Sequence, residues 1–219
     1  MENKKLIWDL PIRIFHWLLV LLIAWSWYAV EIDNDLETHM FLGYCILTLV
    51  IFRIIWGFIG PRYARFGSFI YPLPEILASL RKFFARGYGN YPGHNPLGGL
   101  SVLVLLFLLS LQVTTGLFSN DEEYNFGPLS DNVSPHTASV LTEIHHVNFN
   151  ILLGFIILHV VSVLFYLVYK RENLVRPMVT GRKPDPLNSF EPISGSRLTA
   201  AVILALICSA LVYCLVRFA

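Results

Sequence analysis

The chain has 219 residues, of which 55% are hydrophobic and only 14% charged, with a mean hydropathy of +0.60. Soluble domains carry about 25% charged residues, and a chain this short cannot hide so much apolar surface inside one globular core. A soluble enzyme, a disordered chain and a nucleic-acid binder are therefore excluded. Cys45, Cys208 and Cys214 lie inside apolar runs, with no CxxC motif and no disulfide framework. The composition is that of an integral membrane protein.

Five stretches reach the roughly 20 apolar residues that a bilayer crossing needs. They cover about 11–30, 40–59, 99–118, 147–169 and 198–218. Lys4 and Lys5 precede the first as in a signal peptide, but no small-residue cleavage site follows, and it reads as a retained span. Basic residues decide the threading. Lys4, Lys5 and Arg13 flank span one. Arg53, Arg62, Arg65, Arg81, Lys82 and Arg86 lie between the end of span two and span three. Lys170, Arg171, Arg176, Arg182, Lys183 and Arg197 fill the segment before span five. Fifteen of the 16 basic residues thus fall on one side, and the loops 31–38 and 119–146 hold none. The positive-inside rule places the N-terminus and both basic segments in the cytoplasm, and the C-terminus outside. The outer loops carry nine acids, among them Glu31, Asp33, Asp121, Glu122, Glu123 and Glu143. Between spans two and three, Pro74–Arg86 sets Ile76, Leu77, Leu80, Phe83 and Phe84 on one face. That pattern predicts a short amphipathic helix lying in the inner headgroup layer.

Polar residues at membrane depth ask for an explanation. Four of the seven histidines fit one scheme. His145 and His159 are 14 residues apart, which on a helix is about 21 Å of rise and about 40° of rotation. His146 is turned away from that face. Span one carries His16 early and span two carries His39 at its outer end, so the depths pair His16 with His159 and His39 with His145. Two stacked pairs of facing imidazoles suit two haems whose irons have both axial positions filled, and such haems carry electrons. Metal ions such as zinc or copper are a second reading, although zinc prefers a fuller ligand set. Unrelated polar packing is a third.

Gly43 lies one turn after His39, where a missing side chain admits either a flat macrocycle or a neighbouring helix. Arg53, 14 residues after His39, and Arg13, one turn before His16, reach the inner level. There they pair with propionates or snorkel to the headgroups. His94 precedes Asn95-Pro96, which reads as an N-cap and first-turn proline opening span three. Its free N–H groups offer a place for a quinone carbonyl, with His94 either a proton shuttle or an ordinary loop residue. Gln112, a lone amide in span three, reads first as an interhelical hydrogen bond. His136 reads as exposed.

The residues also carry a resemblance. The motifs are Trp8-Asp9-Leu10-Pro11 through Phe15-His16-Trp17, then His39 with Gly43 and Phe52-Arg53. Trp56-Gly57-Phe58, Ala64-Arg65-Phe66 and Gly93-His94-Asn95-Pro96-Leu97-Gly98-Gly99 follow, with Gln112 and Thr115-Gly116. Glu143-Ile144-His145, His159 and Arg171-Glu172-Asn173-Leu174-Val175 complete them. On these, over about residues 8–183, the chain resembles the bacterial diheme cytochrome b family. That family contains the cytochrome b561 proteins and the b-type cytochrome subunits of nickel–iron hydrogenases. The resemblance implies a four-helix core with two b haems and His16, His39, His145 and His159 as axial ligands. It also implies quinone chemistry on the cytoplasmic side of the bacterial inner membrane and exchange with a periplasmic redox protein. His146 stands where the family usually has an acid.

The expected architecture is all-α and membrane-integral. A diheme domain, 1–183, is followed by a linker and a fifth transmembrane helix, 184–219, outside the likeness. The expected function is electron transfer between a quinone pool, ubiquinone or menaquinone, and a periplasmic partner such as a c-type cytochrome or a respiratory enzyme subunit. That makes the chain a redox module, with quinone oxidoreduction as its one enzymic role. The membrane anchor of a hydrogenase or similar oxidoreductase is the alternative within this class. A cofactor-free membrane scaffold or transporter is the alternative outside it.

Overall fold

The computed structural model describes residues 4–85, 91–120, 126–185, 188–193 and 197–218. Five helices in it are long and apolar enough to cross a membrane: α1 (Leu10–Glu31), α2 (Leu36–Ile59), α4 (Pro96–Gly116), α5 (Pro135–Val168) and α7 (Leu198–Phe218). Two shorter α-helices, α3 (Leu73–Arg81) and α6 (Val175–Thr180), two strands, β1 (Lys4–Leu6) and β2 (Arg182–Pro184), and short 3-10 turns at Arg62–Ala64, Phe66–Ser68 and Ser130–Asn132 complete the regular elements among the described residues. The protein is a multi-pass membrane protein of all-α architecture.

Two expected boundaries move. The fourth span was expected from residue 147, yet α5 begins at Pro135. Ser134 caps it, its Oγ accepting the Thr137 N–H at 3.2 Å, and a proline in the first turn gives up no hydrogen bond. The added turns mix Thr, Glu and His with apolar residues, so hydropathy hides them. The amphipathic helix ends at Arg81, short of the expected Arg86, which lies outside the described residues. Past Arg81 the chain turns, and the Phe83 ring stacks on Phe165 with centroids 4.8 Å apart. The apolar side chains of α3 stay exposed, Leu77 at 45% and Leu80 at 57%, as an element resting on lipid requires.

The chain forms two compact units. The first holds residues 1–14, 55–105 and 155–198, and with them nearly all the basic residues. Here β1 and β2 pair antiparallel, with Lys5 opposite Lys183. Gly181 turns the chain into β2 at φ +78°, and its carbonyl accepts the N–H groups of Ile7 and Trp8. A Cβ there would sit 2.7 Å from the Trp8 carbonyl, so only glycine fits. Trp56, fully buried, donates its Nε1–H to the buried Asp9 carboxylate at 3.0 Å. Gly57 lies against the Phe66 ring, which a Cβ would strike. Lys183 and Glu172 form a buried ion pair at 2.9 Å.

The second unit holds residues 15–54, 106–154 and 199–219. In α7 the buried residues Ala201, Leu204, Cys208 and Val212 recur at helical spacing, so one stripe of the fifth helix is packed and the rest is left to lipid. Asn148 of α5, 3% exposed, donates to the Leu108 carbonyl and to Gln112 Oε1 of α4, which places Gln112 in an interhelical hydrogen bond.

Replacing Trp56 by Phe takes a donor from a buried carboxylate, a loss of about 1–3 kcal/mol, and leaves a cavity where the larger indole was packed. Trp56→Phe should therefore lower the midpoint of thermal unfolding in detergent, while Trp27→Phe, at an exposed position of α1, leaves it unchanged.

Candidate functional site

The second unit brings His39 and His145 together. Their rings stand nearly perpendicular, at 82°, with centroids 6.3 Å apart. Each ring is oriented from behind. His39 Nδ1 lies 3.0 Å from the Ser26 carbonyl of α1 and 3.0 Å from Ser26 Oγ. His145 Nδ1 lies 3.0 Å from the Gln112 carbonyl of α4 and 3.2 Å from Thr115 Oγ1. A carbonyl can only accept, so both Nδ1 atoms carry the proton and both Nε2 atoms keep a lone pair. This is how a protein prepares a histidine to bind metal through Nε2.

The spacing suits an iron between the rings. A metal–imidazole bond of about 2 Å puts each ring centroid about 3 Å from the metal, and two such rings on opposite sides put their centroids about 6 Å apart. Gly43 follows His39 by one turn, and a Cβ built there meets nothing within 4 Å. It therefore does not serve close helix packing, and the space against it is open. Gly116 has a different duty: its Cβ would lie 3.0 Å from His145 Cε1, so the imidazole occupies the room a side chain would take. Among the described residues no three or more His, Cys, Asp or Glu side chains gather as a metal-ion site. A two-imidazole level agrees better with haem iron than with zinc.

The other expected residues are placed as follows. His146 is exposed, its ring edge-on to His145 at 6.1 Å. His16 belongs to the second unit, half-buried, with its ring 4.9 Å from Trp17. His159 belongs to the first unit and is also half-buried. The pairing of these two stays an expectation of the sequence. Arg53, in the second unit, is 4% exposed and so does not snorkel outward. Arg13, in the first, donates from Nη1 to the Val179 carbonyl. His94 lies between aromatic rings, 4.8 Å from Trp8 and 4.9 Å from Phe69, and its carbonyl accepts from the Tyr71 hydroxyl. Asn95 caps α4, its Oδ1 accepting the Gly98 N–H at 2.7 Å, while Nδ2 donates to the Tyr166 hydroxyl at 2.8 Å.

Residues 7–181 match the family model for prokaryotic cytochrome b561. The chain belongs to the prokaryotic cytochrome b561 family. It is also similar to probable Ni/Fe-hydrogenase B-type cytochrome subunits. The protein of that name from Rhodobacter capsulatus is 21% identical, over 81% of this chain and 80% of its own. Those from Cupriavidus necator and Azotobacter chroococcum are 22% and 23% identical, over 80% and 82% of this chain and 85% and 88% of theirs. No solved structure matches the chain. Membership makes this cytochrome a b-type, haem-binding electron-transfer protein of the membrane. The fifth helix lies beyond the residues that the family model matches.

Sequence reasoning overlooked the groups behind the imidazoles. Ser26 carried a signal, because it lies five residues before the end of α1 and His39 three residues after the start of α2, and antiparallel helices bring residues near a shared turn close in level. Thr115 was noticed only as part of a motif, and Asn148 not at all, although it follows His145 by three residues on the same face.

Gly116→Val in this cytochrome should push the His145 ring off its carbonyl. The expected result is a loss of reduced haem absorbance per polypeptide, while Gly43→Ala, with nothing within 4 Å of the added Cβ, leaves the yield of folded protein unchanged. Reduced-minus-oxidised spectra against protein concentration give both readings.

Proposed function

We propose that this cytochrome holds two b haems and conducts electrons across the membrane, between a quinone pool on the basic, cytoplasmic side and a redox protein on the acidic, periplasmic side. The observation that carries the reading is the pair His39 and His145, each with Nδ1–H committed to a carbonyl and Nε2 left for iron. His145 rather than His146 is the outer ligand, since only His145 has both a facing imidazole and a backbone acceptor. The inner haem is assigned to His16 and His159. His159 follows His145 by 14 residues on the continuous α5, and Arg53 and Arg13 are assigned to its propionates from their spacing to His39 and His16. Gly43 makes room for the outer ring. Each iron, with both axial positions filled, supplies one-electron transfer and no substrate site. The turn at His94 and Asn95 is assigned to quinone exchange. Diheme residues 1–183 form one functional domain, with the fifth helix an addition to it. The relatives named as hydrogenase cytochrome subunits favour a membrane redox-enzyme subunit as the partner. The acidic loops favour a basic soluble carrier such as a c-type cytochrome.

A pyridine haemochrome assay should return close to two haems per chain. His145→Ala should remove one and leave the other spectrally intact, and His146→Ala should remove none. A ratio near one, or loss of haem in the His146 variant, contradicts the assignment.

Nine acids and no basic residue lie in the two outer loops. Asp33, Asp35, Asp131 and Glu143 are exposed, whereas Asp121, Glu122 and Glu123 lie outside the described residues. Complementary charge chiefly raises the encounter rate, and screening shortens its reach from about 10 Å at 0.1 M salt to about 3 Å at 1 M. Electron transfer to a basic carrier should slow steeply as salt rises. Replacing Asp121, Glu122 and Glu123 by Asn and Gln should slow it at low salt and flatten the dependence. Stopped-flow rates across a salt series decide the matter, and indifference to both leaves the loops without a docking role.

A further inference from the structure

We propose that Tyr166 is the residue that passes protons to and from the quinone, re-supplied through the buried Glu172–Lys183 pair. This rests on the quinone reading above. All the groups involved belong to the first unit.

The Asn95 amide is fixed at both ends. The Gly98 N–H can only donate, so the atom 2.7 Å from it is Oδ1. Nδ2 is thereby turned to the Tyr166 hydroxyl, 2.8 Å away. An amide nitrogen only donates, so the phenolic oxygen must accept from it. The O–H of Tyr166 is thus directed away from Asn95 and can be given to a group on its other side. The ring carrying it is held in place, with Lys170 Nζ 4.7 Å over its centroid and Phe83 edge-on at 6.4 Å.

A buried charged pair follows it in the chain. The Glu172 N–H donates to the Tyr166 carbonyl at 2.9 Å, which ties the backbone of Glu172 to that of Tyr166. The Glu172 carboxylate accepts from Lys183 Nζ at 2.9 Å, and both side chains are only 9% exposed. Lys183 donates also to the Tyr91 carbonyl at 2.9 Å. A buried ion pair adds little net stability, because desolvation offsets the attraction. Its place six residues beyond Tyr166, with the Glu172 backbone tied to that residue's carbonyl, gives it a use that stability does not.

The chemistry balances. A quinone becomes a quinol by taking two electrons, delivered singly from the b haem, and two protons. For each proton the Tyr166 O–H bond breaks as an O–H bond forms on a quinone oxygen. The phenolate then recovers its proton from cytoplasmic water by way of Glu172. Quinol oxidation runs the same steps backwards.

The test uses the purified holoprotein and decylubiquinol, with haem reduction followed by stopped flow in H2O and in D2O. General acid–base catalysis contributes about 10²–10⁴-fold. Tyr166→Phe, which keeps the ring, should leave haem content and spectrum unchanged, slow reduction by about 100-fold, and remove the solvent isotope effect. Glu172→Gln should slow repeated turnover more than the first reduction event, because it impairs re-supply. A Tyr166→Phe protein that reacts at the native rate with the native isotope effect overturns the inference and leaves the quinone reading standing. Failure of both decylubiquinol and a menaquinol analogue to reduce the native haem removes the quinone reading, and this inference with it.

Discussion

An imidazole inside a bilayer has no water to satisfy its N–H, and this constraint organises the second unit. Each unsatisfied polar group there costs several kcal/mol, so His39 and His145 must find acceptors in neighbouring helices. Helix carbonyls have a second lone pair beyond the one used in the helix, and the carbonyls of Ser26 and Gln112 offer theirs. Satisfying the N–H also fixes the ring. With Nδ1 tied to a main chain, neither imidazole can rotate, and Nε2 is presented in one direction. The demand for polar satisfaction and the presentation of a free Nε2 are thus met by the same hydrogen bond. Thr115 fits this scheme because its hydroxyl donates back to the Leu111 carbonyl, leaving its lone pairs toward His145.

Much of this was legible in the sequence because membrane depth and helical period are strict. The five spans, the His39–His145 level and the Asn95 cap follow from lengths, spacing and residue chemistry. The supporting carbonyls were not legible, because a main-chain acceptor leaves no mark in the side-chain sequence. The Lys4–Leu6 with Arg182–Pro184 ladder was hidden for another reason. Each strand is three residues long, and its partner is over 170 residues away, so no local pattern announces it. The early start of α5 was masked by its mixed polarity, which reads as loop when apolar run length is the guide. At residues 121–123 the sequence shows an acidic run, and only its charge enters the functional reading.

Outside the apolar spans the first unit solves the same problem with different means. Burial pushes the Asp185 carboxyl up, but the N–H groups of Phe190 and Ser189, with Lys5 nearby, bring it net below the ordinary carboxylate range. Asp185 is 1% exposed and so depends on those donors. Asp9 receives the Trp56 N–H, and Glu172 receives Lys183. The N-terminal segment is therefore held by the ladder, by Gly181 and by the Asp9–Trp56 bond together. It enters α1 in a fixed direction, and His16 follows six residues after the helix begins.

The length of α5 has a physical reason. Its 34 residues extend about 51 Å at 1.5 Å per residue, against a hydrocarbon core of about 30 Å. The surplus lies before His145, ten residues into the helix. Helix ends fray over their last turn, and a ligand there would lose its direction. Starting the helix at Pro135 moves fraying well away from His145. From His145 onward the helix acts as a ruler: 14 residues, close to four whole turns, return His159 to nearly the same face about 21 Å further on. An insertion of one residue between them would rotate one imidazole by about 100° relative to the other. The two-haem arrangement proposed above therefore depends both on the added turns at the start of the helix and on the exact count of residues between its histidines.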